Sequence, residues 1–165
     1  MANGIVQKTN DEDEEDTQKD RYLTFALENE FYALEIRHVT EIIGMQPITQ
    51  IPELPEYIRG IINLRGKIIP VMDVRLKFKK EFVTYNDRTC IIVIEEENML
   101  IGLIVDSVSE VLSIPDSEIV EPPALSRQGS RYVNGIGKVN GEIKLILDCS
   151  KLLNEEDIDL ISEMN

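Results

Sequence analysis

The sequence is poor in the residues that most enzymes and metal sites use. It contains no tryptophan, one histidine and two cysteines, and only 5% of its 165 residues are aromatic. His38 has no second base or metal ligand recognisable beside it, so neither a catalytic imidazole nor a metal centre is predicted. Cys90 and Cys149 lie far apart in apolar stretches without a CxxC or Cys/His spacing. They are predicted to be reduced, buried thiols.

Basic residues are also scarce, with 17 against 31 acidic residues and a formal net charge of −14. Such a charge repels phosphate backbones and anionic lipid surfaces, so nucleic acid and membrane binding are not expected. The chain has no apolar signal-peptide region at its N-terminus and no run of about 18 apolar residues. It is therefore predicted to be cytoplasmic.

Motifs of catalysis and of cation binding are missing as well. The sequence has no GxSxG, HExxH or Walker pattern, and the carboxylates at 95–97 fall in a hairpin loop. The acidic run at 11–16 fails as a calcium loop, because Asp16 occupies the glycine position and Tyr22 the bidentate glutamate position. No catalytic residue, cofactor or metal is predicted, and residues 1–20 are predicted to be a disordered acidic tail.

The rest of the chain is dominated by short β-type runs. Apolar and β-branched stretches such as "YLTFAL", "FYALEI" and "CIIVIEE" alternate with turn residues and proline segments. This pattern is typical of an all-β barrel or sandwich. Only residues 151–165 look helical, with Asn154 as the cap and acidic residues in the first turn.

The chain also repeats itself. Residues match at an offset of 69 in the first part of each copy and 75 in the second, and six extra residues within "PPALSRQGSR" account for the change. We therefore predict two similar five-stranded β-barrels, at 21–85 and 86–150, related by a pseudo-twofold axis and sharing a core. The matched pairs include Leu34 with Leu103, Val39 with Val108, Glu41 with Glu110, Ile42 with Val111, Tyr57 with Tyr132, Gly66 with Gly141, Ile68 with Ile143, and Asp73 with Asp148.

A residue that occurs in both copies is most simply explained by the shared fold. Asp73 and Asp148, which follow apolar strands, are predicted to be helix caps. Gly66 and Gly141 are predicted to be turn glycines.

Arg65 breaks this equivalence, because its counterpart is Asn140. Asn-Gly is the favoured pair for a type I′ hairpin turn, where both residues have positive φ, and arginine is strained in that conformation. Arg65 is then either a solvated turn residue that pairs with a nearby carboxylate or a charged contact for a partner. We hypothesise that it pairs with Glu41.

Four segments together resemble the CheW family of chemotaxis coupling proteins: "YLTFALENEFYALEIRHVTEIIGM", "IPELPEYIRGIINLRGKIIPVMDVR", "IGLIVDSVSEVL" and "YVNGIGKVNGEIKLILDCSKLL". The resemblance covers nearly all of residues 20–154. It implies two SH3-like barrels and a noncatalytic adaptor between chemoreceptors and the histidine kinase CheA. A stand-alone coupler fits better than the related kinase or CheV, since no ATP-binding, phosphotransfer or receiver segment is recognisable.

The resemblance also implies partner-binding residues and a location. Positions implicated in kinase or receptor contacts match Val39, Glu41 and Ile42 and the turn residues Asn63, Leu64, Arg65 and Gly66, while Val105 and Val108 resemble positions lining a receptor groove between the barrels. The implied partners are the regulatory domain of CheA and the cytoplasmic hairpin tip of the receptor, with self-association in receptor arrays at the inner face of the membrane.

Two alternatives stay open at this stage. Each apolar candidate is as well explained as a core residue, because barrels bury alternate positions. The chain as a whole is alternatively an enzyme or a small-ligand-binding double barrel that uses the cleft between its halves.

Overall fold

The computed structural model describes residues 18–123 and 131–164. Most of the predicted acidic tail and most of the predicted insertion therefore lie outside the described residues. The described residues are mainly β-structure with a few short helices. The elements are β1 (Arg21–Leu27), β2 (Glu30–Glu35), β3 (Val39–Gly44), β4 (Ile58–Leu64), β5 (Lys67–Asp73), α1 (Val74–Lys77), β6 (Cys90–Glu96), β7 (Met99–Val105), β8 (Ser107–Ser113), β9 (Ile119–Val120), β10 (Val133–Val139), β11 (Glu142–Leu147), α2 (Cys149–Leu152) and α3 (Glu155–Met164).

The strands form two sheets with equivalent strand orders. Sheet I has the order β3-β6-β7-β5-β4, and sheet II has the order β8-β1-β2-β11-β10-β9. The offset of 69 carries β1, β2 and β3 onto β6, β7 and β8, and the offset of 75 carries β4 and β5 onto β10 and β11. The predicted pseudo-twofold relation is thus present. Sheet II has one strand more than predicted, the two-residue β9.

Each sheet is completed by a hairpin from the other half of the chain. In sheet I, β7 of the second half pairs in parallel with β5, and in sheet II, β2 of the first half pairs in parallel with β11. The register is the same in both, since Val71 opposes Gly102 and their repeat mates Ile146 and Ala33 oppose each other. The predicted boundary at residue 85 separates the sequence repeats, but each sheet takes strands from both sides of it.

In each sheet, the chain that follows the first edge strand, β3 or β8, reaches the strand at the opposite edge and pairs with it. Beyond β3, Thr49 bridges to Ile61 of β4 through two backbone hydrogen bonds of 2.9 and 3.0 Å. Beyond β8, β9 pairs with β10 in the corresponding place. Gly60 permits the first closure, because a Cβ there would lie 2.1 Å from the Thr49 carbonyl oxygen and its φ is +140°. Both sheets are thereby closed into small barrels.

A shared hydrophobic core lies between the two barrels, as the repeat predicted. Its buried side chains come from both sheets and from α1, α2 and α3, and each barrel has a smaller cluster of its own. Burying one such large aliphatic or aromatic side chain contributes about 1.5–3 kcal/mol. The shared cluster includes Leu23, Phe25, Leu27, Tyr32, Leu34, Ile92, Ile94, Ile101, Leu103, Val105, Leu147, Cys149 and Ile161.

The three predicted helix caps are present. The Asp73 carboxylate accepts a hydrogen bond from the Leu76 amide, and the Asp148 carboxylate accepts one from the Ser150 amide. Asn154 Oδ1 accepts a 2.8 Å hydrogen bond from the Asp157 amide at the start of α3. These caps satisfy amide donors that have no partner within their own helix.

The two predicted buried thiols differ in their surroundings. Cys149 is buried, and burial raises the pKa of its thiol to about 12, so it stays protonated. Cys90 is only half-buried, so the prediction was right for one of the two cysteines.

A buried arginine links the barrels on one side only. Arg75 of α1 donates a 2.6 Å hydrogen bond from Nε to Asp106, which lies between β7 and β8, and a 3.0 Å hydrogen bond to Glu28 in the β1–β2 turn. The Asp106 carboxylate also accepts a hydrogen bond from the Glu28 amide. Arg75 has no counterpart across the repeat, where Ser150 occupies its position. The difference between Arg75 and Ser150 is visible in the sequence, but the carboxylates that Arg75 contacts are not.

The Arg75 link should make stability depend on pH below neutrality. Partial burial raises the pKa of Asp106, but the hydrogen bonds from Arg75 and the Glu28 amide outweigh it and hold the pKa below its ordinary value of 3.8. A lowered folded-state pKa stabilises the fold above the ordinary value, and this contribution is lost as the pH falls through the folded pKa.

We therefore expect Asp106→Asn to lower the free energy of unfolding by roughly 1–3 kcal/mol at neutral pH. The difference from the wild type should shrink as the pH falls from about 4 towards 2. Urea unfolding of both proteins across this pH range measures the difference in the free energy of unfolding. Glu110→Gln, at an exposed carboxylate, is the control. A deficit that stays constant or grows in acid would contradict the assignment.

Candidate partner-binding site

The β4–β5 and β10–β11 turns have the same backbone geometry despite their different sequences. Arg65 and Gly66 have φ of +51° and +86°, and Asn140 and Gly141 have φ of +52° and +79°. Both are two-residue turns with positive φ at both positions, the type I′ arrangement. Arg65 is therefore held in the left-handed conformation that favours asparagine or glycine. Asn63 supports this turn, because its Oδ1 accepts a 2.9 Å hydrogen bond from the Gly66 amide.

Arg65 pairs with Glu41, as hypothesised. Its Nη2 donates to both carboxylate oxygens of Glu41, at 2.6 Å to Oε2, and these hydrogen bonds raise the pKa of the guanidinium. The Arg65 side chain remains 71% exposed and that of Glu41 27% exposed. Glu41 lies opposite Val93, whose side chain belongs to the interior cluster of sheet I. The pair therefore lies over the interior of this barrel and presents a fixed guanidinium to solvent.

The second barrel has no such pair. Glu110 is exposed and forms no ion pair within the described part of the chain, and only its backbone is bonded, to the Thr24 hydroxyl. Asn140 provides the turn without a charge. The two barrels thus differ at equivalent positions, as the comparison of Arg65 with Asn140 predicted.

The apolar candidates divide into exposed, half-buried and core residues. Ile42 on the edge strand β3 is 43% exposed. Val39 and Val108 are half-buried against the shared core, and they lie opposite Ile94 and Phe25 of that core. Leu64 is half-buried against the interior cluster of sheet I. The edge strands β3 and β8 therefore both carry apolar side chains that rest on the shared core.

Val105 is a core residue. Only 1% of it is exposed, and it belongs to the shared cluster. It lies at the end of β7, directly before the link to β8. Val105 is therefore not accessible to a partner in this structure, unlike the half-buried Val108.

Two exposed isoleucines were missed from the sequence. Ile68 and Ile143 follow the two type I′ turns at equivalent positions of β5 and β11, and their exposed fractions are 44% and 58%. Both stand in continuous apolar runs, where alternation cannot tell an outward side chain from an inward one. Their equivalence across the repeat is visible in the sequence, but a residue that occurs in both copies is attributed there to the shared fold.

The described ranges 18–123 and 131–164 contain no group of three or more histidine, cysteine, aspartate or glutamate side chains placed to hold a metal ion. No helix in these ranges has both the length and the apolar character needed to cross a membrane.

Comparison with known proteins identifies the family. A family model described as the CheW-like domain matches residues 21–157. The chain belongs to the CheW-like family. It is 35% identical over 144 residues to the chemotaxis protein CheW of Klebsiella aerogenes, covering 87% of each chain. It is 29% identical over 136 residues to CheW of Helicobacter pylori, covering 82% of each chain.

A solved structure of the family has the same fold. The crystal structure of the scaffolding protein TtCheW from Thermoanaerobacter tengcongensis matches with a TM-score of 0.78 and 37% sequence identity, covering 84% of this chain and 94% of that one. As a member of the CheW family, the protein is a noncatalytic scaffold that couples chemoreceptors to CheA in chemotaxis signalling. Family membership thus decides against the enzyme that the sequence alone left open.

The geometry of the β4–β5 turn predicts that arginine is not needed there for folding. In Arg65→Asn the turn becomes Asn-Gly, as in the second barrel, so relief of left-handed strain offsets loss of an exposed ion pair. We expect a thermal midpoint within about 3 °C of the wild type. Arg65→Val, which places a β-branched residue at positive φ, should unfold at a clearly lower temperature. Thermal circular dichroism of both variants distinguishes them, and a large loss in Arg65→Asn would show that the ion pair supports the fold.

Proposed function

We propose that two separate surfaces perform the coupling. The Glu41–Arg65 end of the barrel built from sheet I contacts the regulatory domain of CheA. The apolar side chains that β3 and β8 carry over the shared core receive the cytoplasmic hairpin tip of the receptor. The single observation that carries this proposal is the difference between the barrels at Arg65 and Asn140. The two turns have the same backbone geometry, but only the first presents a charged side chain to solvent.

The kinase surface is supported by its rigidity and composition. Hydrogen bonds from Arg65 Nη2 to both carboxylate oxygens of Glu41 orient the Arg65 side chain, so a partner carboxylate meets an oriented guanidinium at little cost in side-chain entropy. The exposed Ile68 lies three residues beyond Arg65 on β5. A central charged contact with apolar neighbours is the composition of many binding hot spots.

The receptor surface is supported by the apolar residues of the two edge strands. A helical hairpin tip binds well to an apolar groove that takes one face of a helix. Val39 and Val108 provide equivalent half-buried contacts from the two barrels, with Ile42 and its exposed repeat mate Val111 beyond them. Val105 supports this surface as a buried residue of the shared core, at the end of β7.

Location and assembly follow from these contacts. A scaffold bound to receptor tips is concentrated at receptor arrays on the cytoplasmic side of the membrane. Because the regulatory domain of CheA resembles the coupler in fold, a surface that accepts the kinase also suits a second copy of this chain. We therefore include self-association within arrays in the proposal.

The kinase surface is tested by comparing Arg65→Asn with Asn140→Ala in a reconstituted mixture of receptor fragment, CheA and this protein. Arg65→Asn should lower receptor-stimulated autophosphorylation at least tenfold while the protein stays folded. Asn140→Ala should leave it within about twofold of the wild type, since Asn140 carries no charge to a partner. Equal loss in the two variants, or a loss that tracks thermal unfolding, would reject the assignment.

The receptor surface is tested by Val108→Ser, with Val120→Ser as the matched control. Val108 rests on the shared core, whereas Val120 is 49% exposed on β9. We expect Val108→Ser to weaken co-sedimentation with receptor fragment about tenfold, because a contact of this kind contributes roughly 1–2 kcal/mol to binding. Val120→Ser should bind normally. Unchanged binding by folded Val108→Ser would exclude this surface, whichever way the kinase test turns out.

A further inference from the structure

The C-terminal helix α3 occupies a defined place on the barrel of sheet I. It packs against β5 and β7, with Ile161 in the shared core and Ile158 half-buried against it. Its buried Asp157 forms a 2.6 Å ion pair with Lys77 and accepts a hydrogen bond from the Tyr57 hydroxyl. Together with burial, this hydrogen bond raises the pKa of Tyr57. The helix is therefore held by an apolar face and by one buried carboxylate.

The equivalent place on the barrel of sheet II is a cavity. Strands β7 and β5, which support α3, are equivalent by the repeat to β2 and β11. Helix α2 is equivalent to α1. A cavity of about 500 Å³ lies there, between the end of α1 and strands β2, β10 and β11. Tyr32, Tyr132 and Val133 line it, and their repeat mates are Ile101, Tyr57 and Ile58 beneath and beside α3.

The chain explains why only one of the two places is filled. After α2 it continues into α3, but after α1 it runs from Phe78 through an irregular segment to β6. That segment turns to the other side of α1, where Phe82 lies under the Arg59 guanidinium and the Tyr85 hydroxyl bonds to Asp73. No helix in the described ranges enters the cavity.

The apolar part of the cavity is built from aromatic rings and aliphatic side chains. Phe78 stacks on Tyr132 with ring centroids 5.1 Å apart and meets Tyr32 at 5.5 Å. Ile136 and Leu145 complete this wall. Tyr57 is bonded to a carboxylate of α3, whereas the hydroxyl of its mate Tyr132 makes no hydrogen bond to another described residue.

The charged part of the cavity is basic, in a chain whose net charge is −14. Among the described residues, the basic lining residues are Lys77, Lys79, Lys80 and Arg131, and the acidic one is Glu30. Lys77 forms an ion pair with Asp157, and the Lys80 ammonium lies 3.6 Å from the Glu30 carboxylate. Lys79 and Arg131 form no ion pair within the described ranges and therefore remain available to an anionic ligand.

We propose that this cavity is a second helix-binding site, and that it binds an acidic amphipathic helix of a partner protein. The place that it matches by pseudo-symmetry already holds such a helix, since α3 has five carboxylates, no basic residue and an apolar face. A carboxylate of the bound helix would lie near Tyr132 as Asp157 lies near Tyr57, with Lys79 and Arg131 neutralising its neighbours. The volume lies within the range of about 300–1,000 Å³ found for ligand sites, and binding of a helix in an apolar groove is a common mode.

This site is distinct from both surfaces proposed for coupling. Those surfaces use β3, β8 and the β4–β5 turn, whereas the cavity lies along β2, β10 and β11. The proposal rests on the fold and its repeat, and it stands or falls separately from the coupling surfaces.

A peptide of residues 153–165, LNEEDIDLISEMN, serves as the probe because it has the sequence of the helix in the matching place. We expect a fluorescently labelled form to bind the full chain with a micromolar Kd that weakens as salt is added. Combined Lys79→Glu and Arg131→Glu should weaken binding at least tenfold. Lys138→Glu, at an exposed lysine on β10 outside the cavity, is the matched control and should change binding less than twofold.

Two further measurements separate a specific site from general attraction. Leu145→Trp should fill the cavity and abolish binding while circular dichroism confirms the fold, and Ile143→Trp, on the same strand but exposed, should not. Amide chemical-shift changes on peptide addition should centre on Tyr132, Val133 and Leu145. A scrambled peptide of equal composition that binds as well, shifts centred elsewhere, or no binding at millimolar peptide would each overturn the proposal.

A second copy of this chain is the competing occupant. Sedimentation velocity of the protein without peptide should show no association that depends on Lys79 and Arg131. A dimer that forms with concentration and is abolished by Lys79→Glu with Arg131→Glu would assign the site to α3 of another copy, and would overturn the assignment to a partner protein.

Discussion

Burial of one face of each sheet against the other is the constraint on which this molecule depends. Each barrel has only a small interior cluster of its own, built from Ile62, Val71 and Ile91 in sheet I and from Ala33 and Ile146 in sheet II, with few others. The large cluster lies between the barrels and includes side chains from both hairpins, both sheets and three helices. Units of about 65 residues bury too little surface to be very stable alone, so the two barrels stabilise each other. The relative placement of the two partner surfaces follows from this shared core.

Much of the architecture was accessible from the sequence, because local chemistry determined it. The caps at Asp73 and Asp148 and the glycines at Gly66 and Gly141 are required by short-range geometry, and both copies show them. The exchange of hairpins was not accessible. The first hairpin can complete the barrel of its own half or that of the other half. Both arrangements give the same sequence repeat, since β1 matches β6 in either one. Only the parallel pairs β2–β11 and β5–β7 distinguish them, and these join strands far apart in sequence.

The candidate site shows the same division. The Glu41–Arg65 pair was predicted because an arginine at a positive-φ position needs support, and asparagine in the other copy marked the exception. The apolar candidates could not be separated into surface and core from the sequence, where Val105 and Val108 look alike. In the structure Val105 is buried and Val108 is half-buried. The cavity beside Tyr132 was invisible for a further reason. It exists because a helix is present in one copy and missing from the other, and a missing element leaves no residues to read.

The hairpin exchange also determines the order in which the molecule can be assembled during synthesis. Sheet I takes its last strand, β7, from the middle of the chain, so it is complete in sequence once Val105 has been made. Hairpin β1–β2 is made first, yet its neighbours β8 and β11 come much later, and Phe31 pairs with Lys144 near the end of the chain. Until then its apolar side chains, including Phe25 and Leu34, lack the strands that cover them, which exposes the nascent chain to chaperones and to aggregation. The first hairpin to leave the ribosome is among the last to join a complete sheet.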